Sequence, residues 1–470
     1  MAGPASISFH AQVLPFAVPA LGGLLFGYDI GATSGAVVNL TDAALSGVAW
    51  GPAMDAAAQG LLVSGSLAGA LGGSVLGLTF GDALGRRREM LLAAACYIAA
   101  AAGEALAPGY WPLVAARALY GIGIGFAMHV APLYLGETAP SAVRGTLVSL
   151  KEGVIVGGIL LGYVASSTLI AADAGWRLMY GISIAPAVLY VVGALSIAES
   201  PRWLLLRGGE AAGEAARTAM GKLRGADYPA EAAEREVREA EEALAAAKAS
   251  TDEEVGWGTI FSGGYLRAFR VGAGLILFQQ ITGQPSVLYF ATSIFQSAGF
   301  AAADEASRVS VLLGVLKLAM TGVAVVLVDK AGRRPLLIAG VGAIAATLFV
   351  LGFSTGSASL AGVSVVALLA YVSAYQVSFG PISWLVVSEV FPARARSKMV
   401  GMATTLNFGS NALVAAVLPT VQQTFGQSAT FYVFGAVALL ALGFVATSVP
   451  ETAGKSLEEI EAIFLGGEDK

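Results

Sequence analysis

An all-α membrane protein, with twelve transmembrane helices in two six-helix bundles joined by a helical linker, is the fold class predicted by three observations. The 470 residues are 56% hydrophobic and only 13% charged, with a mean hydropathy of +0.73. Apolar runs long enough to span a bilayer recur twelve times. Charged groups of the first half return in the second at nearly constant spacing.

The apolar runs lie at roughly 11–35, 57–80, 89–107, 111–135, 147–170 and 178–198, then at 267–298, 307–328, 335–354, 361–388, 399–424 and 429–449. Loops after the even-numbered spans carry Arg86, Arg87, Arg88, Arg144, Arg202, Arg333, Arg334, Arg394, Arg396 and Lys398. The opposite loops, such as 37–56 and 355–360, hold almost no Lys or Arg. The positive-inside rule then places both termini in the cytosol or its equivalent. Between spans six and seven runs the one long polar segment, rich in Ala, Glu, Arg and Lys, with a helical run near 230–247 and breaks at Gly225 and Pro229. The expected division is a first bundle over 1–205, a cytosolic helical linker over 206–262, a second bundle over 263–452 and a cytosolic tail over 453–470.

The two halves echo one another. Gly85-Arg86-Arg87 recurs as Gly332-Arg333-Arg334, 247 residues on, each just beyond an acid, Asp82 or Asp329. Glu137, Pro140 and Arg144 recur as Glu389, Pro392 and Arg396 at an offset of 252, and Glu199 recurs as Glu451 at the same offset. A duplicated six-span unit suits a transporter whose halves rock about a site near the midplane.

Several function classes fall away. The net charge of -5 offers no basic surface to nucleic acid. Cys96 is the one cysteine, and with His10 and His129 as the two histidines no zinc site is expected. The first ten residues have neither a signal-peptide nor an Arg/Ser-rich transit pattern. Gly121, Gly123 and Gly125 lack the strand-turn-helix context of a dinucleotide loop and are read as helix-packing positions, and Gly454-Lys455-Ser456 lacks the upstream glycine of a P-loop. No cofactor and no enzymatic activity are expected.

Span seven carries the strongest functional signal. Phe278 to Phe290 reads F-Q-Q-I-T-G-Q-P-S-V-L-Y-F, placing Gln279, Gln280, Gln284 and Tyr289, two hydroxyls and a helix-weakening Gly283/Pro285 pair at membrane depth. Such a face either lines a polar path or bonds neighbouring helices. Asp29 and Arg117 each lie about six residues inside the expected outer ends of spans one and four, at similar depth. A carboxylate that meets a guanidinium in one conformation and loses it in another gains and loses a proton, the outline of a coupling device; a static ion pair is the alternative. Glu152 and Lys317 are a second intramembrane acid and base, facing either each other or a substrate. Tyr375, Trp384, Asn407 and Asn411 add the aromatic faces and amides that suit a sugar. Asp82, Arg86, Arg87, Glu137 and Arg144, with Asp329, Arg333, Arg334, Glu389 and Arg396, are expected to pair at the cytosolic helix ends and gate that side.

These residues resemble the sugar porter family of the major facilitator superfamily over essentially the whole chain. The matching motifs are Gly85 to Arg87, Glu137-Thr138-Ala139-Pro140 to Arg144-Gly145, Glu199-Ser200-Pro201-Arg202-Trp203, Gln279-Gln280-Ile281-Thr282-Gly283, Gly332 to Arg334 and Pro450-Glu451-Thr452. The resemblance implies the major facilitator fold, a central sugar site that includes Gln279, Gln280, Trp384 and Asn411, and proton coupling through Asp29 with Arg117. Glu152, Pro285 and Lys317 depart from many relatives, and the 150–152 and 283–289 stretches look like the plant and algal organellar branch of plastid and vacuolar sugar transporters. The expectation is a proton-coupled sugar transporter, monomeric in a lipid bilayer of the plastid envelope or vacuole. An uncoupled carrier and a non-transporting sugar sensor are the alternatives.

Overall fold

All twelve expected spans are helical in the computed structural model, which describes residues 9–139, 144–208, 211–225, 229–249, 256–297, 299–300, 302–392 and 394–465. Pro140 and the side chains of His10, Arg144 and Asp329 lie outside the described residues. Spans one to five are Phe9–Thr41, Ala56–Leu84, Arg86–Ala105, Tyr110–Thr138 and Arg144–Leu169; span six is two helices, Gly175–Gly181 and Ile184–Ser196. Span seven is three, Gly263–Ile281, Gln284–Tyr289 and Ala291–Ser297. Spans eight and nine are Ala303–Ala331 and Arg333–Ser354, span ten is Ala361–Val377 with Phe379–Val390, and spans eleven and twelve are Arg396–Phe425 and Gln427–Ser448. Among the described residues ten of the twelve are long and apolar enough to cross a membrane; the other two are span three, which begins Arg86-Arg87-Arg88-Glu89, and span seven, cut twice.

Lipid gives helices no hydrophobic reason to associate, so close backbone approach at small residues does the work. A Cβ on Gly27 of span one would fall 1.9 Å from the Ile155 carbonyl oxygen of span five. One on Gly121 of span four would fall 1.9 Å from that of Ser66 in span two. The spacing that resembles a nucleotide loop in sequence is thus a helix seam, with Gly125 meeting span two and Gly123 span three.

The breaks have local causes. In span seven Gly283 takes φ +89°, and Pro285 opens the next helix. Span ten breaks at Ser378, where Pro381 in the following turn has no N–H for the Val377 carbonyl. The second break of span seven, at Phe290, has no such residue. There the Leu288 carbonyl accepts from the Tyr163 hydroxyl at 2.9 Å, while the Thr292 N–H that would have bonded it donates to Ser34 Oγ at 3.0 Å. The helical bond is exchanged for two contacts with the other half.

After span six come helix Pro201–Arg207, at the end of the first bundle, and the linker helices Ala212–Arg224, Ala230–Ala249 and Trp257–Ile260. Ala216, Met220, Ala233 and Val237 make the small core of the linker. Buried Arg224 ties it to the membrane part, donating to the Thr138 carbonyl at 2.8 Å and to Glu236 at 2.7 Å. A tail helix, Leu457–Leu465, buries Ile460 and Phe464, and Arg267 of span seven donates to the Phe464 carbonyl. The side of the molecule bearing the linker and tail is the linker face, and the opposite side is the far face.

Candidate functional site

Asp29 and Arg117 meet. Asp29 is 2% exposed and Arg117 fully buried. Arg117 Nη1 contacts Asp29 Oδ1, and Nη2 donates to Oδ2 at 3.3 Å and to Ser66 Oγ at 2.9 Å. The Ser66 hydroxyl donates to Asp29 Oδ2 at 3.0 Å, Thr33 to Oδ1 at 3.4 Å, and Arg117 Nε to the Leu62 carbonyl. The guanidinium also lies 5.2 Å from the centre of the Tyr180 ring. Spans one, two, four and six thus converge on one ion pair. Tyr289 of span seven, expected among substrate contacts, lies beside this pair and is fully buried.

The remaining amides gather in the second half. Gln280 Nε2 donates to Asn407 Oδ1 at 2.6 Å, linking spans seven and eleven. Gln279 Nε2 donates to the Phe379 carbonyl at 3.1 Å, at the break of span ten. Lys317 is 4% exposed, donates to Gln376 Oε1 and stands 5.6 Å above the Tyr375 ring, so its partner is an amide of span ten. Glu152 lies within electrostatic reach of Lys317, with no salt bridge between the two among the described residues. Trp384 is half-buried in the second helix of span ten. Burying a polar atom without a partner costs roughly 1–3 kcal/mol. Yet Gln279 Oε1, Gln280 Oε1, Gln284 Nε2, Ser286 Oγ, Gln376 Nε2, Ser383 Oγ and Asn411 Oδ1 are all buried and unpaired. Such a concentration on spans seven, ten and eleven is what a polyhydroxylated ligand would satisfy.

On the linker face the matched acids and arginines pair within their own halves. Arg86 grips Glu137 through two nitrogens, at 3.1 and 2.9 Å, and Asp82 at 2.7 Å. Arg333 pairs with Glu389 at 3.2 Å, and Thr452 donates to the other Glu389 oxygen. Arg87 and Arg334 instead bond carbonyls closing spans six and twelve, and Arg396 bonds the Phe391 carbonyl. Glu199 accepts the backbone N–H groups of Arg86 and Arg87, and Glu451 those of Arg333 and Arg334, so each carboxylate caps a helix N-terminus that belongs to another span. On the far face the halves touch through Ser34 and Thr292, whose hydroxyls are 2.9 Å apart, and through Tyr163 and Leu288.

Three features were missed in the sequence. Gln376 had no special spacing. Ser66 reads as one small residue among many in span two. Glu104 had a signal: it is an acid inside the expected third span, near the depth of Arg117, and the rule that paired Asp29 with Arg117 applies to it equally. Its carboxylate is fully buried, 3.6 Å from Arg117 Nη1.

Residues 16–464 match the family model described as Sugar (and other) transporter. D-xylose-proton symporter-like 2 of Arabidopsis thaliana is 49% identical, the match covering 98% of this chain and 92% of that protein. D-xylose-proton symporter-like 3, chloroplastic, also of Arabidopsis thaliana, is 50% identical over 98% of this chain and 84% of its own length. Among solved structures, the partially occluded inward open conformation of the xylose transporter XylE from E. coli superposes with a TM-score of 0.79 at 28% identity, covering 95% of this chain and all of that one.

Proposed function

The chain belongs to the Sugar (and other) transporter family, and from that premise we propose that it moves a sugar across its membrane coupled to protons, by alternating access of its two halves. The observation that carries the coupling is the buried Asp29–Arg117 pair, held by Ser66 and Thr33 from two further positions. Removing a carboxylate's only cationic partner in low dielectric favours its protonation. A motion that parts Asp29 from Arg117 therefore takes up a proton, and one that rejoins them releases it. The sugar sits against Gln279, Gln280, Gln284, Asn407 and Asn411, with Trp384 and Tyr375 as aromatic faces, Lys317 held ready by Gln376, and Glu152 opposite from span five. The names of the relatives favour a D-xylose-sized monosaccharide.

The linker-face clusters act as gate residues by stiffening the helix ends that part and meet during the cycle. Arg86, Arg87, Asp82 and Glu137 serve the first half with Arg144; Arg333, Arg334, Glu389 and Arg396 serve the second with Asp329. The Lys and Arg distribution favours a cytosolic linker face with both termini on that side, and the chloroplastic relative favours the plastid envelope. The protein works as a monomer in lipid.

The test is uptake of labelled D-xylose into proteoliposomes with and without an imposed pH gradient. Wild type accumulates sugar only with the gradient, and Asp29→Asn loses at least tenfold of that accumulation. Uptake indifferent to pH would make the protein an uncoupled carrier, and binding without uptake would make it a sensor. Loss confined to Glu152→Gln would move the coupling site to span five.

A further inference from the structure

Arg117 is shared by two buried carboxylates, and the second is unaccounted for by the pair described above. Glu104 closes span three one residue from its C-terminus, is fully buried, and among the described residues has no partner within hydrogen-bond distance at either carboxylate oxygen. Its nearest cation is Arg117, with Oε1 3.6 Å from Nη1, an ion-pair distance but too long for a hydrogen bond. The guanidinium hydrogens point elsewhere, to Asp29, Ser66 and the Leu62 carbonyl. The other titratable groups around it are Tyr28 of span one, Tyr120 of span four and Tyr180 of span six. Arg177 of span six approaches the same helix end, but its two terminal nitrogens are spent on the Ala105 and Ala107 carbonyls and its plane stacks 4.3 Å from the Trp176 ring. One guanidinium neutralises one carboxylate. A second ionised carboxylate with no donor would be an uncompensated buried charge, and groups so placed take a proton instead.

We propose that Glu104 is a second proton-carrying residue, the station between the far face and Asp29, and that Arg117 exchanges its two carboxylates during the cycle. The inference deepens the proton-coupled reading and rests on it. In the arrangement seen here Glu104 is the neutral acid and Asp29 the ion-paired carboxylate. The proton then passes from Glu104 to Asp29: the O–H bond on Glu104 breaks, one forms on Asp29, and Arg117 shifts its hydrogen bonds to the Glu104 carboxylate. The cluster of Asp29, Glu104 and Arg117 has zero net charge before and after, so no unpaired charge is stranded in the membrane. Glu104 refills from the far face, where span three ends at Ala105. Ser66 and Thr33, which now hold the Asp29 carboxylate, are hydroxyls able to turn and accept from it once it is protonated.

Two measurements on the full-length protein test this. In infrared difference spectra of purified wild type at neutral pH, a protonated-carboxyl C=O band is present, and Glu104→Gln removes it; an unchanged band in that variant overturns the proposal. In proteoliposomes under an imposed pH gradient, Glu104→Gln lowers D-xylose accumulation at least tenfold and flattens the dependence of the remaining flux on far-side pH. Glu104→Asp restores a pH dependence with a shifted midpoint. A Glu104→Gln protein that keeps the wild-type accumulation and pH profile, while Asp29→Asn loses them, refutes the second station and leaves the coupled reading standing. Wild-type flux that ignores the gradient refutes the coupled reading itself, whatever the infrared result.

Discussion

Among single residues, depth proved to be the readable quantity. Counting residues from the helix ends is enough to bring Asp29 to Arg117, because a helix rises evenly and a lone charge in lipid must find its partner. The same count leaves Lys317 open, since its partner Gln376 is an uncharged residue whose facing depends on where span ten breaks. The amides of span seven make a testable set. Gln280 already spends its N–H on Asn407 and keeps Oε1 unpaired, and Asn411 Oδ1 is unpaired one turn further along span eleven. Gln280→Ala and Asn411→Ala are each expected to weaken D-xylose binding by about 1–3 kcal/mol, the cost of leaving a sugar hydroxyl without its partner. Calorimetry on the purified variants checks this, and wild-type affinity in both would remove spans seven and eleven from the site.

Elements were legible where their punctuation is chemical and illegible where it is tertiary. Gly283 with Pro285, and Pro381, announce the breaks in spans seven and ten. The Phe290 break depends on a tyrosine and a serine more than 120 residues away, beyond the reach of local sequence. The trans-capped helices allow a sharper statement. Gly332 has φ +84°, and a Cβ there would meet Glu451 Oε2 at 2.8 Å, so Gly332→Ala incurs both backbone strain and loss of the cap. It should destabilise the protein by about 1–2 kcal/mol, read as a lower melting temperature in detergent. Burial raises the Glu451 carboxyl, but backbone N–H groups of Ala453, Arg333, Arg334 and Thr452 outweigh it, and the net displacement is below the usual carboxylate range. A depressed folded value means that the stabilisation is complete above the unfolded value of about 4.3 and is lost as pH falls through the folded one. Melting temperatures of wild type should therefore fall more steeply on acidification below about pH 4.3 than those of Glu451→Gln. Parallel curves would show that the cap contributes nothing through its charge.

For the whole molecule, duplication was visible in the offsets of 247 and 252 because helix-end charges are held by the same geometry in both halves, Glu199 and Glu451 capping the third and ninth spans alike. How the halves meet was not visible, because their far-face hydrogen bonds use serine, threonine, tyrosine and backbone, and their other contacts use small and apolar residues such as Gly60 against Ala416 and Phe26 against Phe408, all common everywhere. On the far face hydrogen bonds join the halves. Ser34 bonds both the hydroxyl and the N–H of Thr292, and Tyr163 bonds the Leu288 carbonyl. These bonds exist only while the halves are together there, and when they part the Leu288 carbonyl and Thr292 N–H can rejoin as one helical turn. Separation is therefore offset by a bond regained within span seven, which keeps the two states close in energy. Removing one bond that is present in only one state shifts the population by that bond's net worth, about 0.5–1.5 kcal/mol, or roughly 2- to 12-fold. Tyr163→Phe, which removes one such bond, should raise far-side access by that factor, and Ser34→Ala, which removes two, by at least as much. The probe is a cysteine at Ser286, buried on the middle helix of span seven, introduced with Cys96→Ala and labelled from the far side by a membrane-impermeant maleimide. Faster labelling in both variants, reversed when D-xylose is added, places the closed far face in the transport cycle. Wild-type labelling rates in both would mean that these contacts join the halves without deciding which side is open.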